Sequence, residues 1–393
     1  MRFIIPAIFL CISLALAGPD GVFYALENRI EKGQMVTVGV LQRIKVGGVG
    51  QLEVLLAKAA RPPQAARWRY DPALKDWVMA DQMGHHFDLA EAKKRYLEAL
   101  RAGQEEFLLP VTHTLHPEGA PFYYRLGIRQ LLAEATTSFA GSSYERGYNI
   151  ALAASLLNGV QIAPGETFSF AKAIGEVSER TGFKKAFVIS GEQTLEGVGG
   201  GLCQVSTTLF RSAYFAGLPI VQRRPHSYQV RYYQPTGLDA AVFLPSLDLR
   251  FKNDTPGHLL IQSEVRGNRL TFRLFGSKDR EVAWSQPVIL SRTPPLPTRY
   301  IVIPELKPQQ FVQVDWAAEG ATVQVHRTIR FTDGQVSRDT LSSTYRPWGA
   351  VYLVGEGTRL PDGRVLTAAT DDAPDNHGYR LPTQTTLRPA RNR

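Results

Sequence analysis

The sequence predicts an α+β protein of several domains, in which a few mixed helices accompany a largely antiparallel sheet. Its 393 residues exceed what a single core usually fills, so two or three domains are expected. Helix-period apolar spacing is confined to a few stretches, whereas most of the chain alternates in short, strand-length runs. Compact turn signals at 253–257, 266–268 and 332–334 join those runs and suit antiparallel hairpins. With 44% hydrophobic and 21% charged residues, the composition is that of a folded protein and argues against general disorder.

At the amino terminus, Arg2 precedes an apolar run over 3–17 that closes on Ala15-Leu16-Ala17. A charged start, a short apolar core and a small-x-small end describe a secretory leader. The run is shorter than the ~20 residues a spanning helix needs, and Pro6 interrupts it. We therefore expect a signal peptide at 1–17 and an exported protein, periplasmic or cell-wall associated. Cys11 lies inside that run without small residues before it, so a lipid-attachment role is not expected. Removal of the leader leaves Cys203 alone. A lone cysteine in an exported chain is an intermolecular link, a small buried hydrophobe or a reactive thiol.

Strand-like alternation at 36–41 and 51–56 suggests a small β-rich start, broken at Pro62-Pro63. Residues 68–78 read as a hairpin. Asp88 then caps a helix whose Leu89, Ala92, Tyr96, Ala99 and Leu100 share a face, Gly103 ends it, and 107–111 follow as a strand. Ser142 and Glu145 have the spacing of a capping box and open a helix through Asn149, Ala154 and Leu157. Further strands are expected at 220–224, 228–233, 240–243, 248–252, 258–264 and 269–275. Proline-dense 286–308 reads as a semi-rigid connector. Strands at 312–316, 321–331 and 336–345 follow, and the chain beyond 357 reads as a disordered basic tail.

The net charge of +9 suits an anionic surface such as a cell envelope. Lys and Arg are spread rather than gathered in a stripe, so nucleic acid is not an expected partner. No cofactor is expected. His85-His86, His113 and His116 lack an accompanying carboxylate or cysteine cluster, so no metal is expected either.

The chemistry concentrates where Gly197 and Gly199 to Gly201 run into Leu202-Cys203. Leu202, Val205, Leu209, Ala213 and Ala216 then fall on one helical face, and Gly217-Leu218-Pro219 stops the helix. Cys203 thus sits in a first turn, where unpaired N–H groups and the helix dipole favour a thiolate. It also borders the apolar face beside Thr207, Phe210 and Tyr214, so a packing role stays open. His226, after Pro225, is the candidate base, with a surface or capping role as the alternative. Asp239 is the candidate acid that orients it, or a turn former after Gly237. Backbone N–H groups near Leu202 and Cys203, with Gln204, are the candidate oxyanion donors, and Gly201 is grouped with them as an oxyanion or substrate contact. Ser206, like Thr207 and Thr208, is a substrate contact or a satisfied helix hydroxyl. Arg146 and Glu166 form an ion pair or bind a charged group of the substrate.

Several of these residues together resemble the VanW family. The resemblance rests on Thr136 to Phe139, Arg146, Asn149-Ile150, Asn158-Gly159, Pro164-Gly165-Glu166 and Phe168-Ser169-Phe170. It continues through Gly199 to Leu209, His226-Ser227, Gly237 to Ala240 and Phe251-Lys252-Asn253, and covers about 132–270. Residues 68–117 look like the peptidoglycan-binding module that often precedes such domains, and 321–355 like the strand segment that closes many of them. Composition and the resemblance together give the expected order: leader 1–17, peptidoglycan-binding α+β module 20–131, VanW-like domain 132–282, proline-rich linker 283–308, β segment 309–356 and tail 357–393. It also implies an envelope protein acting on peptidoglycan stem peptides and glycan. The activity it suggests is cysteine-dependent acyl transfer of the L,D-transpeptidase kind. The alternatives are a non-catalytic peptidoglycan-binding or glycopeptide-resistance accessory protein, or hydrolysis by the same residues.

Overall fold

The computed structural model describes residues 18–190 and 193–367, and divides the chain into two units, Met1–Arg129 and Gln130–Arg393. The expected leader at 1–17 and most of the expected tail lie outside the described residues. Mixed helices and mostly antiparallel sheets in two units match the expected α+β class.

In the amino-terminal unit, Asp20–Glu31 and Gln34–Ile44 form a long hairpin, and Asp76–Gln82 with Gln64–Asp71 extends the sheet on the other side. Glu106–Leu108 joins in parallel. Residues 51–56, expected as a strand, instead belong to the helix Leu52–Ala59. Their period-2 pattern is short enough to fit both states, and burial decides it: Leu52 and Leu56, one turn apart, both enter the core. The helix Leu89–Arg101 is capped as the sequence indicates, with Asp88 accepting from Glu91 N at 3.0 Å. Asp81 is buried and accepts from Asn28 N, Asn28 Nδ2 and Ala120 N, which ties a strand to the helix Ala120–Arg125.

The second unit is built around the helix Leu202–Phe215, which carries Cys203. It packs with Tyr144–Leu157 on a four-stranded sheet ordered Gln130–Ser138, Arg269–Gly276, Leu259–Arg266, Gln161–Ile162. The expected apolar face is buried, and so is most of the opposite, polar face. That polar face grips the chain around it. Ser206 Oγ donates to Ala240 O at 2.6 Å, Thr208 pairs with Thr137 at 2.7 Å, and Ser212 Oγ donates to Phe272 O at 3.0 Å. Arg211 Nε donates to Leu238 O at 2.7 Å, and its Nη atoms reach the carbonyls of Tyr233, Gln234 and Pro235. A helix whose hydroxyls and guanidinium satisfy buried carbonyls can be enclosed on all sides.

Four stretches of this unit differ from the sequence reading, the first being 240–243, where isolated bridges at Ala241 and Phe243 stand in place of the expected strand. Residues 228–233 form a loop with a short turn at Arg231–Tyr233, and the Arg211 guanidinium, in place of a strand partner, takes the Tyr233 carbonyl at its end. The proline-rich stretch 283–308 contains the strands Val288–Thr293 and Arg299–Val302. Its prolines fall outside both strands, so neither loses a ladder hydrogen bond to them. Residues 357–367, assigned to the tail, turn back through an Arg359–Val365 bridge and bury Leu360 and Leu366. Behind the site, Gly320–Phe331 pairs with Val336–Tyr345 on one side and with Arg280–Trp284 and Val288–Thr293 on the other. Arg327 fastens this sheet to the cysteine helix. It donates to Tyr214 O at 2.8 Å and Leu218 O at 3.2 Å while paired with Asp339.

Asn149, fully buried, holds the start of the cysteine helix. Its amide donates to Lys184 O and Gly200 O at 2.9 and 3.0 Å and accepts from Lys184 N at 2.8 Å. Asn149→Ala leaves three backbone groups without this partner, and the expected loss of unfolding free energy is about 2–4 kcal/mol in urea titrations. An unchanged midpoint refutes this role.

Candidate active site

The glycine run works by letting one backbone pass close to another. Gly201 is the cap of the cysteine helix with φ of 115°, and a Cβ there would lie 2.9 Å from Ile150 Cγ1 and 3.0 Å from Arg146 O. A side chain at 201 is excluded by conformation and by space together. The helix start is thereby seated on Tyr144–Leu157, with Cys203 in its first turn and partly exposed.

The structure brings Cys203, His226 and Asp239 together. His226 and Asp239 are each 3% exposed. Asp239 Oδ2 accepts from His226 Nδ1 at 2.5 Å and from His226 N at 2.8 Å, so one carboxylate oxygen fixes both the ring and its backbone. This bond leaves Nε2 as the imidazole's free end, buried and outside regular hydrogen-bond geometry with any described atom. The imidazole and the Cys203 side chain are near enough for each to shift the other's pKa. Cys203 Sγ donates to Val242 O at 3.4 Å, on the segment that Ser206 and Thr207 hold through Ala240. Tyr233 stacks on the imidazole at 4.6 Å.

Electrostatics favour an ion pair across this contact. Burial alone would lower the pKa of His226, but the hydrogen bond to Asp239 and the neighbouring thiol outweigh it and raise the pKa to about 9. Burial would raise the Cys203 pKa. The interaction with His226, and more weakly the charge of Arg146, reverses this and lowers it. Asp239 loses solvation on burial, yet its bonds to His226 and the charges of His226 and Arg223 hold it well below the usual carboxylate range.

Other expected roles change. Leu202 N–H is taken by Gly199 O at 3.2 Å and Gln204 N–H by Gly201 O at 2.9 Å. The Gln204 amide is fully buried, donating to Thr137 Oγ1 at 2.6 Å and accepting from Arg146 Nη2 at 3.0 Å. Neither Leu202 nor Gln204 is free to serve an oxyanion. The N–H of Cys203 has no partner among the described residues and is the donor left open at the candidate nucleophile. Ser206 is a buried strut, as its bond to Ala240 shows. Glu166 is exposed and folds back to accept from Ala163 N at 2.9 Å, so it makes no ion pair with Arg146. The helix cap is Ser143, whose Oγ accepts from Arg146 N, while Ser142 Oγ accepts from the Arg146 guanidinium. Adjacent serines offer the same cap chemistry, and the tertiary position of Arg146 selects between them.

Sequence reasoning missed Arg223 and Tyr345. Arg223 Nε donates to Asp239 O at 2.6 Å and its Nη2 to Asp239 Oδ1 at 3.3 Å. Tyr345 O–H donates to the same oxygen at 2.5 Å and itself accepts from Gly237 N at 2.9 Å. Around it, Ser343 Oγ donates to Gly237 O and Arg346 N to Ser227 O. Tyr345 is more than a hundred residues from the acid it holds, so local pattern carries no trace of the contact. Among the described residues no group of three or more His, Cys, Asp or Glu is placed to hold a metal.

These shifts predict thiol reactivity against pH. Iodoacetamide should label native Cys203 at pH values below the ordinary thiol range, because the thiolate is present once pH exceeds its lowered pKa. Asp239→Asn removes the imidazolium's counter-charge and should move the labelling midpoint up by roughly one unit or more. Coincident profiles for the two proteins exclude the ion pair.

Residues 145–275 match the family described as VanW like protein. The uncharacterized protein YoaR of Bacillus subtilis is 39% identical over 148 residues, which cover 38% of this chain and 48% of the relative. The vancomycin B-type resistance protein VanW of Enterococcus faecalis is 30% identical over 142 residues, covering 35% of this chain and 51% of the relative. The chain spans about half the length of these curated relatives. The matched segment contains Cys203, His226 and Asp239, whereas Tyr345 lies beyond it. The chain therefore carries a VanW-like domain at residues 145–275, with the cysteine helix at its centre.

Proposed function

We propose that this protein is exported to the cell envelope and acts there on peptidoglycan stem peptides by cysteine-dependent acyl transfer, in the manner of an L,D-transpeptidase. The observation that carries the reading is the line from Asp239 through His226 to Cys203, next to the open N–H of Cys203. Thiolate Sγ attacks a stem-peptide carbonyl carbon, a C–S bond forms, and the Cys203 N–H receives the developing oxyanion. The amide C–N bond then breaks, and the imidazolium gives its proton to the departing amine. An acceptor amine attacks the thioester, its proton passes to His226, and the thiol is restored as the crosslink forms. With water as acceptor the same steps give hydrolysis. We assign the amino-terminal unit to holding peptidoglycan, on the resemblance of residues 68–117, and the export step to a leader at 1–17.

A second reading is a non-catalytic peptidoglycan-binding or glycopeptide-resistance accessory protein. The relatives' descriptions favour it more directly than they favour acyl transfer, since one is named for vancomycin resistance and neither for an enzymatic step.

Incubation with a disaccharide-tetrapeptide distinguishes the two. Acyl transfer requires new crosslinked dimers by mass with the native protein and at least a 100-fold loss in Cys203→Ala. Dimers formed equally by Cys203→Ala, or none by either protein with sacculus binding retained, would favour the accessory reading. The rate should be flat between the lowered thiol pKa and about pH 9 and fall above it, as the imidazolium loses the proton owed to the leaving amine.

A further inference from the structure

The guanidinium of Arg146 bonds to the side chain of Gln204, the residue after Cys203, with no carboxylate among the described residues to neutralise it. Arg146 lies in the first turn of Tyr144–Leu157, only partly buried. It donates to Ser142 Oγ and, at 3.0 Å, to Gln204 Oε1, and rests over the Tyr232 ring at 4.4 Å. All these partners are neutral, and among the described residues no carboxylate lies within ion-pairing distance of it.

The other sequestered arginines of this unit are treated differently. Arg223 pairs with Asp239, Arg280 with Asp254 and Asp279, and Arg327 with Asp339. Arg211 is enclosed by backbone carbonyls. A partly desolvated cation without a carboxylate partner leaves donors unpaired, and a bound anion would satisfy them. Its place fits such a ligand: Gln204 directly follows the nucleophile, and the Cβ that Gly201 lacks would lie 3.4 Å from Arg146 Cγ. A guanidinium has five N–H donors, so the two bonds to Ser142 and Gln204 leave others for a carboxylate fork.

We propose that Arg146 is the subsite for the terminal carboxylate of the peptide donor, so that the bond broken at Cys203 is the last amide of that peptide. The proposal rests on the acyl-transfer reading and adds a substrate restriction to it. A carboxylate one residue beyond the scissile carbonyl lies about one residue length from it, ~3.6 Å, so its subsite must adjoin the thiol. In the step itself the Sγ–C bond forms and the terminal amide C–N bond breaks. The proton of His226 goes to the nitrogen of the departing amino acid, which leaves with its carboxylate.

The test compares a disaccharide-tetrapeptide with its carboxy-terminal amide as donors to the full-length protein, reading the Cys203 adduct by intact mass over a range of donor concentrations. The free acid should acylate the native protein roughly 10- to 100-fold more efficiently, mainly through KM. In Arg146→Gln the preference should shrink to within about threefold. Arg146→Lys keeps the charge without the fork and should fall between them; it serves alone if the Gln variant does not fold by circular dichroism. Equal acylation of native protein by acid and amide overturns the carboxylate subsite while leaving the thiol chemistry standing. So does an undiminished preference in the variants, or a shift of the iodoacetamide pH profile with the preference intact. Absence of any adduct from either donor overturns the acyl-transfer reading and this inference with it.

Discussion

One buried carboxylate sets the terms for the second unit. Asp239 accepts from the His226 ring, the His226 backbone, Arg223 and Tyr345, and these donors come from two separate parts of the chain, 223–226 and Tyr345. An ionised group sealed from water is tolerable only when its lone pairs are taken by well-placed donors. The arrangement of the loop 225–242 and of the strand Val336–Tyr345 meets that requirement. With the acid so satisfied, its hydrogen bond to Nδ1 leaves Nε2 as the free nitrogen of the imidazole.

The cysteine helix supplies the second constraint. A helix enclosed by sheet, helix and loops needs its polar side chains to do structural work. Ser206, Thr207, Thr208, Arg211 and Ser212 all satisfy backbone or hydroxyl groups of neighbouring segments. The result is a rigid seat for Cys203. Within the helix, Cys203 in the first turn and Phe215 in the last are partly exposed, and the glycine cap places the thiol at the open first turn.

The carboxy-terminal sheet belongs to the same construction. Tyr345 and Ser343 bond to the Gly237–Asp239 corner, and Arg327 clamps the far end of the cysteine helix. The family match ends before these residues, yet the acid of the site depends on them. A fragment cut at the end of the matched segment would leave Asp239 without one of its four donors and expose the buried side of Gly237.

By itself the sequence determined the α+β class, the helix over Leu202–Phe215 with its apolar face, the capped helix after Asp88 and the hairpin strands of both units. These follow from periods, caps and turns, which are interactions within a few residues of one another. It also singled out Cys203, His226 and Asp239, through the glycine run and a family resemblance. Only the tertiary structure decided that 52–59 is helical, that 228–233 is a loop instead of a strand, and that the proline-rich stretch contains strands. It alone showed that Leu202 and Gln204 are committed elsewhere, that Glu166 turns away from Arg146, and that Tyr345 and Arg223 hold the acid. Those outcomes depend on which buried donors and acceptors meet across tens to hundreds of residues, and no local pattern encodes such a meeting.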